Sequence, residues 1–181
     1  MLNVKSIKIN TIVSGLYAWY PATFVNLLRN GKKTEQNDVV EAIKENWLKT
    51  IVITGGINKN PEAKVLISWL CSIGYLVILY TDSSDDIWPL RGIKNCNFVI
   101  KTTAPNEREN EINFNTMNCL KPTDELLFEI DNAQTYEEVL TFLTSRPTTQ
   151  PTVTFIVSDE LKTQIISDST KFKFKCRILS A

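Results

Sequence analysis

Short apolar runs alternate with segments of helical periodicity along most of this chain. Residues 4–13 alternate between apolar and polar side chains, which predicts a half-buried strand. The run at residues 51–54 is apolar and β-branched and stops at two glycines, as a short buried strand does before a turn. The remaining strands are predicted at residues 22–28, 75–80, 97–101, 125–130, 153–157 and 171–178. Strands of this kind, separated by helical segments, predict an α/β fold.

Four segments have the apolar spacing of helices. The first follows Thr34, and its predicted buried face consists of Val39, Val40, Ile43 and Trp47. The second begins at Pro61, and its predicted buried face consists of Val65, Leu66, Trp69 and Leu70. Two shorter helices are predicted at residues 136–143 and 158–166.

The order of these elements predicts the architecture. Strands that alternate with helices form a largely parallel sheet with right-handed crossovers. Because about six short strand–helix units are too few for a closed eight-stranded barrel, we expect an incomplete (βα)6-type barrel. The length of 181 residues fits one domain, which we predict to extend over residues 1–181.

The composition restricts the chemistry that is open to the chain. Histidine is absent, which excludes Ser-His-Asp and Cys-His nucleophilic devices and His-based zinc sites. Lys plus Arg and Asp plus Glu both number 20, so the formal charge gives no overall attraction to nucleic acid or to anionic membranes. The cysteines, at positions 71, 96, 119 and 176, are widely separated and are interpreted as buried or incidental thiols. No apolar run approaches the roughly 20 residues that span a bilayer, and we expect a cytoplasmic protein.

In a parallel sheet, ligands bind at the carboxyl ends of the strands. The glycines and polar residues that follow the predicted strands at this edge are Thr54, Gly55, Gly56, Thr81, Asp82 and Lys101. Glycine leaves the backbone open to a ligand, but the same glycines can also serve only a tight strand-to-helix turn. The six residues are therefore candidates for binding a small polar ligand, and a purely structural turn is the alternative.

Two surfaces are candidates for contact with a partner. Residues 16–20 form an aromatic segment, in which Tyr17, Trp19 and Tyr20 either contact a partner protein or simply pack the connection. Residues 102–116 are polar and acidic, which predicts a long surface loop.

Two other functions are possible in principle but are not favoured. The basic face of residues 171–177 offers four cations to a nucleic acid, although the balanced overall charge argues against nucleic acid as the main partner. Asp82, Asp85 or Asp86 together with Lys101 could do acid–base work, but acidic clusters in loops are mostly solvated.

Three stretches of the chain follow the order and spacing of one known family. They are INTIVSGLYAWYPATFVNLL at residues 9–28, IVITGGINKNPEAKVLISWLCSIGYLVILYTDS at residues 51–83 and TDELLFEIDNAQTYEEVLTF at residues 123–142. They resemble the radical S-adenosylmethionine (SAM) enzymes, and among these the 7-carboxy-7-deazaguanine synthase family, with its P-x-x-F-V-R-L strand, TGGEP segment and late DE.KFVI strand. The resemblance implies a radical-SAM-like partial barrel over most of the chain.

The same resemblance implies functional residues that this chain replaces. The family holds a [4Fe–4S] cluster on three cysteines just after the strand that corresponds to residues 24–28, where this chain reads LRNGKKTEQND. The family's acidic residue after the two glycines, which contacts the SAM amino group, is Ile57 here, and the Asn and Gly of its TNG motif are Asp82 and Ser83. We therefore expect a pseudoenzyme without an iron–sulfur cluster or any other cofactor.

The expected function follows from a retained framework whose reactive residues have been replaced. We expect a catalytically inactive protein that binds another protein, or a second copy of itself, as a regulator, an inhibitor or a component of an assembly. The alternative is a protein that binds a small nucleoside, deazapurine or SAM-like molecule. A membrane is not an expected partner.

Overall fold

A single nine-stranded sheet organises the chain. The computed structural model describes residues 1–12, 17–28, 31–55, 57, 60–82, 86–102, 119–145 and 151–180. The strand order across the sheet is β3-β1-β2-β4-β5-β6-β7-β8-β9. The strands are β1 Leu2–Thr11, β2 Pro21–Leu27, β3 Lys32–Thr34, β4 Thr50–Thr54, β5 Leu76–Asp82, β6 Cys96–Thr102, β7 Glu125–Ile130, β8 Thr152–Val157 and β9 Cys176–Ser180.

The sheet is mostly parallel. Strand β1 pairs antiparallel with both β2 and β3, whereas every pair from β2–β4 through β8–β9 is parallel. Apart from β3, the strands follow one another across the sheet in chain order. The predicted α/β fold with a largely parallel sheet is therefore confirmed.

The helices of the described chain pack on one face of this sheet. They are α1 Gln36–Glu45, α2 Pro61–Ser72, α3 Ala133–Thr144 and α4 Asp159–Phe172, and a short 3₁₀ helix covers Trp88–Leu90. Buried side chains of all four helices belong to one apolar core with alternate residues of the strands. This one-sided arrangement follows from the sequential strand order, because right-handed crossovers that move in one direction place each helix on the same side.

Two predicted buried faces are wrong in part. Helix α1 ends at Glu45, so Trp47 lies beyond it with φ of +60° and with its side chain 90% exposed. Val65 faces solvent, while Ala63 and Ile67 join Leu66 and Leu70 in the core. Apolar spacing identified the helices correctly but could not fix where α1 ends or which way α2 is rotated.

One predicted boundary is also wrong, and one strand was missed. The missed strand is the short edge strand β3, Lys32–Thr34. Helix α4 continues to Phe172, so the last strand begins only at Cys176. Residues 103–116 of the predicted surface loop lie outside the described residues. Within the described chain, no helix is long and apolar enough to cross a membrane.

Candidate functional site on the open face of the sheet

The sheet face opposite the helices, called the open face below, has an apolar floor. Side chains alternate between the two faces of a strand, so the strands that bury Ile53 and Leu79 against the helices turn Val52 and Ile78 to the open face. The floor is a small apolar cluster that consists of Ile12, Ala22, Val52, Ile78, Val99 and Leu127. Each of these six side chains is at most 4% exposed, so the floor is a second packed core, and only the strand ends beside it are open to a ligand.

Tyr17 covers the amino end of this floor. Its ring packs against the apolar cluster, and its hydroxyl accepts a hydrogen bond from the Nδ2 amide of Asn97. Burial raises the pKa of the Tyr17 phenol, and the hydrogen bond from Asn97 opposes that change in part. Tyr17 is thus a packing residue of the open face. In this it differs from Trp19 and Tyr20, whose side chains are exposed.

A buried polar group lies on the same face beside Tyr17. Glu125 is 1% exposed and accepts a hydrogen bond from the hydroxyl of Thr154 on β8. Thr152, the register partner of Glu125, is equally buried, and its hydroxyl has no hydrogen-bond partner in the described chain. Sequence reasoning missed this group, although a carboxylate that opens an apolar strand and the threonines that alternate with Val153 were visible signals.

The carboxyl end of the open face carries charged side chains. Asp82 and Lys101 are register partners on β5 and β6, so their side chains leave the same face of the sheet at the same level. The Nζ of Lys101 lies 2.7 Å from Oε1 of Glu129 on β7, and both side chains are about half exposed. An exposed ion pair of this kind contributes little to stability. Breaking the pair so that either group can contact a ligand therefore costs little free energy.

Thr54 joins this charged edge, but Thr81 does not. Thr54 is the last residue of β4 and lies on the open face in register with Tyr80. Thr81 is a residue of β5, which continues to Asp82, and alternation turns its side chain toward the helices, where it is buried. The structure therefore brings together Thr54, Asp82 and Lys101 and places Thr81 on the other face.

The glycine turn after β4 has a steric cause. Gly55 has φ of +83°, and a Cβ at this position would lie 1.9 Å from the carbonyl oxygen of Leu27 on β2. Gly56 lies outside the described residues. Ile57 is 2% exposed and belongs to the helix-side core. Close packing against β2 is therefore sufficient to explain Gly55, and the position after the two glycines is an apolar anchor.

Trp19 and Tyr20 lie on the turn that joins β1 to β2. The amide of Trp19 donates to the carbonyl of Ile12 at 2.7 Å, and the amide of Ile12 donates to the carbonyl of Tyr20 at 3.0 Å. Both aromatic side chains project into solvent from the amino edge of the parallel strands, opposite the charged edge. They therefore lie at the edge of the sheet that does not carry Asp82 and Lys101.

The cysteines lie in or beside the helix-side core. Cys71 on α2 and Cys96 on β6 are buried, and their thiols form a hydrogen bond. That hydrogen bond lowers the pKa of Cys71 and raises the pKa of Cys96. Cys119 is also buried, and Cys176 packs against the same core. Among the described residues, no group of three or more His, Cys, Asp or Glu side chains could hold a metal ion.

Asp124 is a buried carboxylate with a structural role. It accepts backbone N–H groups of Phe98 at 3.0 Å and of Lys121 at 2.7 Å, which ties the start of β7 to β6. Burial raises its pKa, and the two hydrogen bonds oppose this change in part.

The fold is an α/β architecture with a mostly parallel sheet. A similar solved structure is that of QueE from Escherichia coli, the 7-carboxy-7-deazaguanine synthase, with a TM-score of 0.69 and 12% sequence identity. The match covers 99% of this chain and 94% of that one. No protein-family model and no curated protein sequence matches this chain. The likeness shows the fold.

The prediction that the chain is not an enzyme is wrong. A solved structure with this fold, that of QueE, belongs to an enzyme, and the present chain retains cysteines. The prediction rested on the absence of cysteine from the stretch LRNGKKTEQND and on Ile57 at the position of the family's acidic residue, and it did not consider thiols that come together from distant parts of the chain, as those of Cys71 and Cys96 do. Separation along the chain is therefore no measure of which thiols come together.

The residues at the predicted cluster loop do not fit an iron–sulfur cluster. Such clusters are held by cysteine thiolates, and the described residues of the stretch LRNGKKTEQND, which are 28 and 31–38, include no cysteine. The thiols of Cys71 and Cys96 lie on the helix side of the sheet, away from the open face.

Proposed function

We propose that this chain binds a small polar, nucleoside-like molecule on the open face of its sheet. The observation that carries the proposal is the charged edge at the carboxyl end of this face, which is formed by Asp82, Lys101 and Glu129. Ionised groups at the carboxyl ends of parallel strands can orient a planar heterocycle through its polar substituents. Nucleosides, deazapurines and SAM-like molecules share this combination of a flat body and polar substituents.

The shape of the sheet supports the same location. Sequential parallel strands with all described helices on one side are the arrangement of a barrel wall. An incomplete barrel of this kind, in a cytoplasmic protein, would curve around the open face and leave its carboxyl end accessible. Ligands of parallel α/β proteins bind at that end of the strands.

Isothermal calorimetry with SAM, S-adenosylhomocysteine and a deazapurine nucleoside tests the proposal. We expect at least one of these molecules to give a saturable heat. Lys101→Met should weaken the binding about tenfold or more, because a hydrogen bond to a charged group contributes roughly 1.5–3 kcal/mol.

Lys44→Met is the matched control. Lys44 is also about half exposed and pairs with Glu41 at 2.8 Å, but it lies on α1, away from the open face. The control should leave the heat unchanged. Absence of heat with all three molecules, or an equal loss in both variants, would refute binding at this site.

A further inference from the structure

Two thiols meet in the helix-side core although they come from different elements of the fold. Cys71 lies in the last turn of α2, and Cys96 is the first residue of β6. Cys96 is the register partner of Val77 on β5, the strand that follows α2 in the chain. Both cysteines are free thiols, and their side chains are hydrogen-bonded to each other. The fold therefore holds a pair of adjacent thiols that the function proposed for the open face does not use.

An ammonium group lies beside this pair. The Nζ of Lys121 donates a hydrogen bond to the carbonyl oxygen of Cys96 at 2.7 Å, and the amide of Lys121 donates to the carboxylate of Asp124 at 2.7 Å. The hydrogen bond from Cys96 lowers the pKa of Cys71, burial opposes this change in part, and the charge of Lys121 adds to it. Cys71 is therefore the sulfur that loses its proton first, and the thiolate is the reactive form of cysteine.

The two thiols differ in their access to solvent and in the rigidity of their backbone. Cys71 is 6% exposed, whereas Cys96 is fully buried in a strand with neighbours on both sides. The ends of helices fray and open more easily than central strands do. A small movement at the end of α2 would expose Cys71 to a small oxidant. It would also let the two sulfur atoms approach from hydrogen-bond contact to the roughly 2 Å of an S–S bond.

We propose that Cys71 and Cys96 are a reversible dithiol–disulfide pair, which hydrogen peroxide oxidises and whose S–S bond joins α2 to β6. The thiolate sulfur of Cys71 attacks one oxygen of the peroxide, the O–O bond breaks, and the other oxygen leaves as hydroxide, which takes up the proton that Cys71 released. Cys71 is then a sulfenic acid. The sulfur of Cys96 attacks that of Cys71, and the hydroxyl group leaves with the proton of Cys96 as water. The two thiols lose two electrons in total, and the peroxide is reduced to two molecules of water. Thiol–disulfide exchange with an external dithiol reverses the oxidation.

Mass spectrometry of unreduced peptides tests the proposal. The folded wild-type chain is treated with hydrogen peroxide, the remaining thiols are blocked, and the linked peptides are identified. The disulfide between Cys71 and Cys96 should be the main product, and dithiothreitol should restore both thiols. In the urea-unfolded chain any two of the four cysteines can pair, so the share of this disulfide should fall about fivefold, to about one-sixth of the product.

Two variants test the order of the steps. Cys96→Ala leaves the sulfenic acid of Cys71 without a thiol to react with, so a dimedone probe should label Cys71. Cys71→Ala removes the sulfur that reacts first, so Cys96 should stay unlabelled. Cys176→Ala is the matched control, because Cys176 is also a free thiol beside the helix-side core but lies on β9. The control should form the disulfide like the wild type.

Four results would each overturn the proposal. They are a folded chain that forms no disulfide between Cys71 and Cys96, an equal share of this disulfide in the folded and unfolded chains, its loss in Cys176→Ala, and a dimedone label on Cys96 in place of Cys71. Each readout is the mass of a named peptide, so these results are independent of ligand binding on the open face.

Discussion

Replacing each of four glycines by alanine would show whether Gly55 is kept for packing or for ligand access. A Cβ on Gly55 would meet the carbonyl oxygen of Leu27 at 1.9 Å in a backbone with φ of +83°. Gly74 has φ of +90° but open space around its Cβ position, whereas a Cβ on Gly31 would lie 2.8 Å from backbone atoms without a positive φ. Gly92 has neither problem. The four positions therefore separate backbone strain from steric overlap.

The expected losses in free energy of unfolding follow from these two costs. A left-handed backbone costs an alanine about 1 kcal/mol or more, which is the expected effect of Gly74→Ala. Overlap in a packed region costs about 1–3 kcal/mol, which is the expected effect of Gly31→Ala. Gly55→Ala combines both and should lose about 3 kcal/mol. Gly92→Ala should be neutral or slightly stabilising, because alanine restricts the unfolded chain.

Urea unfolding followed by circular dichroism measures the four values. With a slope of about 2 kcal/mol per molar urea, the midpoint should fall by about 1.5 M for Gly55→Ala and about 0.5 M for Gly74→Ala. If Gly55→Ala falls no further than Gly74→Ala, β2 does not hold this glycine against Leu27. The backbone at residue 55 would then be open to a ligand, and the packing explanation would be refuted.

Three further predictions concern buried polar groups and a helix cap. Thr23→Val removes a buried hydroxyl that has no hydrogen-bond partner among the described residues and should stabilise the chain by about 1 kcal/mol in urea unfolding. Thr154→Val removes a donor to buried Glu125 and should destabilise the chain; equal effects would contradict this reasoning. Asn132→Ala removes the side chain that accepts a first-turn N–H of α3 at 2.9 Å and should cost about 1 kcal/mol, while Asn132→Asp, which keeps the acceptor, should cost little. Burial raises the pKa of Asp124 above its ordinary 3.8, so the folded chain keeps a proton that the unfolded chain releases above about pH 4. The free energy of unfolding of the wild type, relative to that of Asp124→Asn, should therefore fall as the pH rises through that window. A difference between the two that is independent of pH would count against this prediction.

Hydrophobic spacing was sufficient to predict the α/β class and the largely parallel sheet, because burial sets the spacing at which apolar residues recur in a helix or a strand. Strands β4 and β7 lie where the apolar runs predicted them, and the parallel order followed from the alternation with helices. The same reasoning failed for Trp47 and Val65. In the sequence, an apolar residue at helical spacing has the same pattern whether its side chain enters the core or faces solvent. Their exposure became visible only once the end of α1 and the rotation of α2 were known.

Residues of the candidate site could be predicted from the sequence of each strand, but contacts between neighbouring strands could not. Asp82 and Lys101 were found because they end apolar runs, and the parallel order made them neighbours. Thr81 was misplaced because β5 runs two residues further than its apolar segment, so alternation turns that side chain to the helices. Glu129 was missed because its ion pair with Lys101 depends on the register of β6 with β7, which no local pattern records.

The positions after β4 indicate where on the open face a ligand would find its polar contacts. Gly55 is pressed against β2, and Ile57 is buried in the helix-side core, so the described residues of this turn offer a ligand no charged group. The charged side chains instead follow β5, β6 and β7, as Asp82, Lys101 and Glu129. Electrostatic orientation of the proposed ligand would therefore come from these three neighbouring strands. On this reasoning, substitution of Lys101 should alter affinity far more than any conservative change at Ile57.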